Sequence, residues 1–263
     1  MATDPYTAPK ARVEDVPAAA AEGEFIADGQ AVAAGHGWQW IVASWELFKR
    51  QPGTWILLVL VLLVLTFLVA LIPIIGHVAG NLLGPVFGGG ILLGCRALDR
   101  GDALELGHLF AGFREQFGKL ALVGLLYLVA LFVIVVVAAL IGGIGVGAAL
   151  RGFGGGGDIA RGAVGVSAVL LALLIGLALL VPVAMAMWFA PSLIVFNDYG
   201  VTDAFTASFN ACLKNIVPFT IYGLIFIGLG IVASIPLGLG WLVLLPMLAA
   251  SVYTSYRDIY YAG

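Results

Sequence analysis

Of 263 residues, 62% are hydrophobic and only 10% are charged, with a mean hydropathy of +1.10; an ordinary soluble domain carries about 25% charged residues. A soluble globule of this size has no room to hide that much apolar surface, so lipid is part of the solvent. A net charge of −3 leaves no basic field to hold nucleic acid.

Residues 1–34 are rich in Ala, Pro and acids and contain only Lys10 and Arg12 as bases. They lack the apolar core of a signal peptide and read as a disordered cytoplasmic tail, leaving 35–263 as the transmembrane domain. In "WQWIVASWELFKR" the apolar positions Trp38, Ile41, Val42, Trp45 and Phe48 oppose Gln39, Glu46 and Arg50, the period of an amphipathic helix. The first span follows at 55–75, "WILLVLVLLVLTFLVALIPII", with no charge in a stretch matching the roughly 20 residues that a bilayer core requires.

Span two, 77–96, is weaker and glycine-rich. Gly76, Gly80, Gly84 and Gly88 recur every four residues, with Asn81 and Pro85 between them. That pattern reads first as a helix-packing seam, with a discontinuous helix lining a site as the alternative. "DRGDALELGHLFAGF" then turns on Gly101, starts a helix on Asp102 and Glu105 in the manner of a capping box, and continues as an apolar stripe through Leu106, Leu109, Phe110, Phe113 and Phe117.

Spans three (120–141) and four (164–189) flank "GGIGVGAALRGFGGGGDIARG", which reads as a flexible external loop and lacks the ending of a phosphate-binding loop. After span four, "DYGVTDAFTASF" repeats the acid, glycine, acid order, with Gly200 for the turn and Thr202 as helix cap. A third amphipathic helix follows, carrying Phe205, Phe209, Cys212, Leu213 and Ile216. Spans five (216–235) and six (237–255) are joined by "PLGLG".

The expected fold is therefore all-α: a polytopic membrane protein with six transmembrane helices and three interfacial amphipathic helices. "ASWELFKRQPGTW" (43–55) and "ASFNACLKNIVPF" (207–219) share an order of residue types that points to a threefold internal repeat. With the N-terminus inside, Lys10, Arg12, Lys49, Arg50, Arg96, Arg100, Arg114, Lys119, Lys214 and Arg257 are cytoplasmic and only Arg151 and Arg161 lie outside, so both termini are expected in the cytoplasm.

"GHGWQWIVASWELFKRQPGTW", "DRGDAL", "APSLIVFNDYGVTDAFTASFNACLKNIVPF" and the terminal "YTSYRDIY" together resemble an uncharacterised bacterial family of six-span inner-membrane proteins. That family is distantly similar to the membrane domain found beside some glycerophosphodiester phosphodiesterases. The resemblance covers about 36–263 and implies a shared fold and inner-membrane residence. It supplies no catalytic residue, and the phosphodiesterase barrel with its acidic metal ligands is absent.

All fifteen acids and twelve bases map to tails, loops or span ends, which argues against a proton-coupled pump. No Ser-His-Asp or HExxH pattern appears, so catalysis is not expected and neither is a cofactor. Cys95 and Cys212 have no metal-ligand spacing with His36, His77 or His108, and no metal is expected. Arg96, Asp99, Arg100, Asp102, Asp198, Asp203, Arg257 and Asp258 form a candidate cytoplasmic polar rim. It would meet a membrane or cytoplasmic protein partner or a lipid headgroup, unless each charge only caps its own helix. The expected role is interaction or membrane organisation, with a permease or lipid-handling facilitator for a neutral or apolar solute as the alternative.

Overall fold

The computed structural model describes residues 23–73, 75–154 and 159–262; residues 1–22 of the expected tail lie outside them. Among the described residues the chain is helical, with one isolated β-bridge between Phe25 and Tyr261. The helices are α1 (His36–Arg50), α2 (Pro52–Ala70), α3 (Ile75–Asp99), α4 (Ala111–Glu115), α5 (Phe117–Gly154), α6 (Ile159–Trp188), α7 (Ala190–Asn197), α8 (Val201–Lys214), α9 (Ile216–Ser234) and α10 (Trp241–Tyr260), with a 3₁₀ turn at Leu106–Phe110.

Among the described residues, five stretches are long and apolar enough to cross a membrane: Pro52–Ala70, Ile75–Asp99, Phe117–Gly152, Gly162–Asn197 and Ile216–Ser234. α10, on which the expected sixth span falls, is less apolar because its second half carries Ser251, Thr254, Ser255, Arg257 and Asp258. It is also deeply buried: Ala250, Tyr253, Tyr256, Ile259 and Tyr260 are almost wholly enclosed. Its hydroxyls bond within the protein, Ser251 and Ser255 to carbonyls of their own helix and Tyr222 to Ser251 at 2.6 Å. A helix surrounded by protein can keep polar groups that lipid would reject.

The core lies toward one end of the bundle, where Trp40, Trp55, Phe189, Leu193, Tyr256 and Tyr260 meet. α1 packs on α9 and α10 there. Its buried face is Gly37, Trp40, Ile41, Ser44, Leu47 and Phe48, while Trp38 and Trp45 are 53% and 40% exposed. The expected stripe is thus rotated. α8 is rotated likewise: Val201, Ala204, Ser208, Ala211 and Cys212 are buried while Leu213 is exposed. In lipid, large apolar side chains gain little by leaving the surface, whereas small ones let backbones approach, so Gly37 and Ser44 of α1 and Ala204, Ser208 and Ala211 of α8 share the buried faces with larger residues such as Trp40 and Leu47. The middle amphipathic segment is a 3₁₀ turn followed by the five-residue α4. Its cap is Glu105 paired with His108, not Asp102 with Glu105.

Two joints differ from expectation for local reasons. Gly101 does adopt a left-handed φ of 89°, but after α7 that conformation belongs to Asp198 (φ 55°), and Gly200 is extended. Thr202 lies inside the first turn of α8, with Gly200 as the cap residue. Between α6 and α7 the Ser208 hydroxyl enters the helical ladder: it donates to the Met185 carbonyl at 2.7 Å and accepts the Phe189 N–H at 2.9 Å. Such an insertion opens a helix at a defined point, and Pro191 in the first turn of α7 suits the restart.

The segment expected as an external loop is helical up to Gly154 and again from Ile159; residues 155–158 lie outside the described residues. α5 and α6 press together here. A Cβ on Gly145 would lie 2.8 Å from the Gly165 carbonyl oxygen, and one on Gly165 would lie 2.2 Å from the Ala149 nitrogen. Small residues that look like a linker are, in this pair, a contact surface.

Candidate functional site

Residues 23–34, expected to belong to the tail, form a strap across the end of α10. Ile26 and Gln30 donate backbone N–H groups to Tyr260 and Ile259 carbonyls, both at 2.8 Å. The Gln30 side chain donates to the Asp258 and Tyr261 carbonyls at 2.9 and 3.2 Å. The last carbonyls of a helix have no partner in their own coil, and the strap supplies donors to them. The fully buried Asn215 anchors its other side, accepting from Val32 N–H at 2.8 Å and donating to Gln30 O at 2.9 Å. Phe25 stacks on Tyr260 with ring centres 6.0 Å apart.

The strap, α1, the end of α3 and the second half of α10 enclose a cleft of about 740 Å³. Glu46 and Arg50 come from α1, Asp99 from α3, and Tyr253, Thr254, Arg257 and Asp258 from α10. Asp99 is paired with Arg257 and accepts the Tyr253 hydroxyl at 3.0 Å. Asp258 accepts the Trp40 indole N–H at 2.6 Å and stands 2.8 Å from His36 Nδ1. Arg50 donates to the Leu98 carbonyl, joining α1 to α3. The cleft therefore presents guanidinium donors and carboxylate acceptors side by side, held by bonds between different elements. That equipment recognises a ligand by charge and hydrogen bonding.

Of the eight rim residues read from the sequence, Asp99, Arg257 and Asp258 line the cleft, and five stand elsewhere. Arg96 stacks over the Phe196 ring at 4.7 Å. Arg100 and Asp102 lie on the exposed turn after α3. Asp203 sits in the first turn of α8, where a negative charge suits the helix dipole. Asp198 accepts from Lys119 at 2.5 Å and Gln116 at 2.8 Å, and these bonds hold its carboxyl below the ordinary range. Glu46 and Arg50 were legible as the polar side of α1; Gln30, His36 and Tyr253 had no signal, since only the fold brings them to the cleft. Among the described residues no three His, Cys, Asp or Glu side chains converge to hold a metal. Cys95 and Cys212 are buried, and burial pushes the Cys212 thiol up to about 12.

Packing along the glycine series is uneven. Only Gly76 is closely packed, where a Cβ would lie 2.1 Å from the Val69 carbonyl oxygen. At Gly80, Gly84 and Gly88 a Cβ would meet no atom within 4 Å. α3 runs unbroken through Pro85. Its open edge borders two apolar chambers of about 340 and 550 Å³.

Residues 43–262 match a family model described as "Protein of unknown function (DUF975)". A protein of Burkholderia thailandensis described as "Probable inner membrane protein" is 32% identical over 234 residues, covering 84% of this chain and 82% of its own length. Neither match carries a relation to glycerophosphodiester phosphodiesterases. No solved structure matches the chain.

Proposed function

This chain belongs to that family of unknown function, and from this premise we propose that it is a multi-pass inner-membrane protein acting by binding, with the charged cleft as its contact surface for a membrane or cytoplasmic protein partner. The observation that carries the reading is the convergence of Glu46, Arg50, Asp99, Arg257 and Asp258, from three helices, on one open cleft. Charges serving only as caps or membrane stops would stay at their own helix ends, as Asp203 does in the first turn of α8.

The proposal includes six crossings, with α10 as the sixth. Its 20 residues extend about 30 Å, the thickness of the hydrocarbon core. The cleft and both termini face the cytoplasm, in keeping with the distribution of Lys and Arg. α1, the segment Leu106–Glu115 and α8 each precede a pair of long helices, and this order supports three repeated units.

A photoreactive residue in place of Ala43, which lines the cleft, is expected to give one or a few discrete protein adducts in native membranes. Glu46→Ala should remove them without unfolding the chain, because Glu46 is exposed and pairs with its helix neighbour Lys49. Adducts to lipid alone, or none, sink the proposal. A second reading, a facilitator for lipid or another apolar solute, is favoured by the chambers along α3.

A further inference from the structure

We propose that the outer flank of α1, formed by Trp38, Val42 and Trp45, is a docking surface for the lipid headgroup region of the leaflet that α2 enters, so that α1 lies along the membrane surface with lipid on one side and the cleft on the other. The inference goes beyond the reading above: it rests on α2 crossing a bilayer and not on the cleft having a protein partner.

α1 has three distinct sides. Trp40, Ile41 and Ser44 face the bundle and are almost wholly enclosed. Ala43, Glu46 and Arg50 line the cleft. At about 100° per residue, Trp38, Val42 and Trp45 fall together on the remaining side, and all of them are exposed. Both ends of the helix are held where the chain enters the membrane. One residue, Gln51, separates α1 from α2, a stretch apolar enough to cross. At the other end a Cβ on Gly37 would lie 2.2 Å from the carbonyl oxygen of Pro218, in the first turn of α9, which is a second such stretch. A helix pinned to the starts of two crossing helices lies across them at headgroup level, and its 15 residues extend about 22 Å along the surface. The flank is continuous with the apolar exterior of those helices: Trp38 follows Gly37 in the chain, and the exposed Val217 precedes Pro218.

The side chains suit that level. A tryptophan ring joins an apolar body to one N–H donor, the combination that fits the boundary where acyl chains meet ester and phosphate oxygens. A protein occupant would need far more area. Aromatic side chains bury about 150–250 Å² each when fully covered, so this partly exposed flank offers on the order of 300 Å², against roughly 800 Å² per partner in a stable protein interface. Lipid, already in contact with α2 and α9, covers the flank without any such requirement.

The full chain, reconstituted into phosphatidylethanolamine and phosphatidylglycerol vesicles, tests this with a nitroxide attached at Val42→Cys, at Ala43→Cys on the cleft side, or at Leu63→Cys on the exposed face of α2. Cys95 and Cys212 are buried, which leaves the added thiol as the reactive one. Collision with oxygen, which partitions into lipid, should exceed collision with a water-soluble nickel chelate most at position 63 and to an intermediate degree at position 42, with the order reversed at position 43. Trp38→Ala combined with Trp45→Ala leaves the buried side of α1 intact and should raise nickel contact at Val42→Cys several-fold. A label at position 42 as open to nickel as the one at position 43 overturns the docking surface. Shielding of position 42 from both reagents overturns it as well, because protein would then cover the flank, and so does unchanged nickel contact in the double variant. Absence of protein adducts at Ala43 in native membranes, with position 42 still in lipid, leaves this surface standing and sinks the partner reading alone.

Discussion

Ser208 shows how one hydroxyl can fix the path of a membrane chain. It satisfies both groups that the α6–α7 break exposes, the Met185 carbonyl and the Phe189 N–H, and it is itself fully buried. Cys212 also reaches the Met185 carbonyl, at 3.5 Å, so the amide of Phe189 is the group with no substitute. Ser208→Ala should therefore destabilise the protein by about 1–3 kcal/mol, the cost of stranding a buried polar group. Thermal unfolding in detergent reads this as a lowered midpoint. Thr206→Ala on the exposed side of α8, where the hydroxyl bonds only its own helix at 2.9 Å, should leave the midpoint nearly unchanged. Equal effects of the two substitutions would remove the insertion from the account of the joint. Nothing in "TASFNACLK" marks Ser208 for this role, because the broken ladder it serves lies 19 residues away in sequence.

At the scale of elements, hydropathy located the long helices well and assigned their faces poorly. α2 and α9 are visible as apolar runs, and the 3.6 period finds α1 and α8, but that period alone does not say which side meets protein. In water the larger apolar side chains would turn inward; here Trp38, Trp45 and Leu213 turn out, and Ser44 and Ser208 turn in. Glycine spacing is no fuller a guide. The regular series 80, 84, 88 opens chambers, while the irregular run after Gly142, which resembles a linker, contains the tight contact between α5 and α6. Gly165→Leu should consequently break that hairpin, since the added Cβ alone falls 2.2 Å from a backbone atom of α5 and backbone cannot yield as a side chain does. Gly143→Leu, with open space around its Cβ, should express and elute as the parent protein does on size exclusion. A Gly165→Leu chain as stable as the parent would show that α5 and α6 do not approach closely there.

For the whole molecule, the length of the α5–α6 hairpin decides how the chain lies across a bilayer. Lys119 is bonded to Asp198 near the cleft end of the bundle, and Arg151 is in the last turn of the same helix. The 32 residues between them extend about 48 Å, against roughly 30 Å of hydrocarbon and 40–45 Å of whole bilayer. Keeping both ends of that stretch within the hydrocarbon would take a tilt of about 50°, beyond the usual 0–40° range of membrane helices. Arg151 should thus emerge on the side opposite Lys119, a consequence of helix length that does not depend on the charge rule used to orient the chain. Arg151→Cys is expected to react with a membrane-impermeant maleimide added to intact spheroplasts, whereas Lys49→Cys should react only after the inner face is opened. Cys95 and Cys212 give little background, being buried, and a thiol held near 12 supplies little thiolate at neutral pH. Labelling of Lys49→Cys from outside would invert the molecule and move the cleft to the outer face. Labelling of both positions from one side would mean that α5 does not cross, and the division of the molecule into a charged end and an apolar middle would have no physical basis.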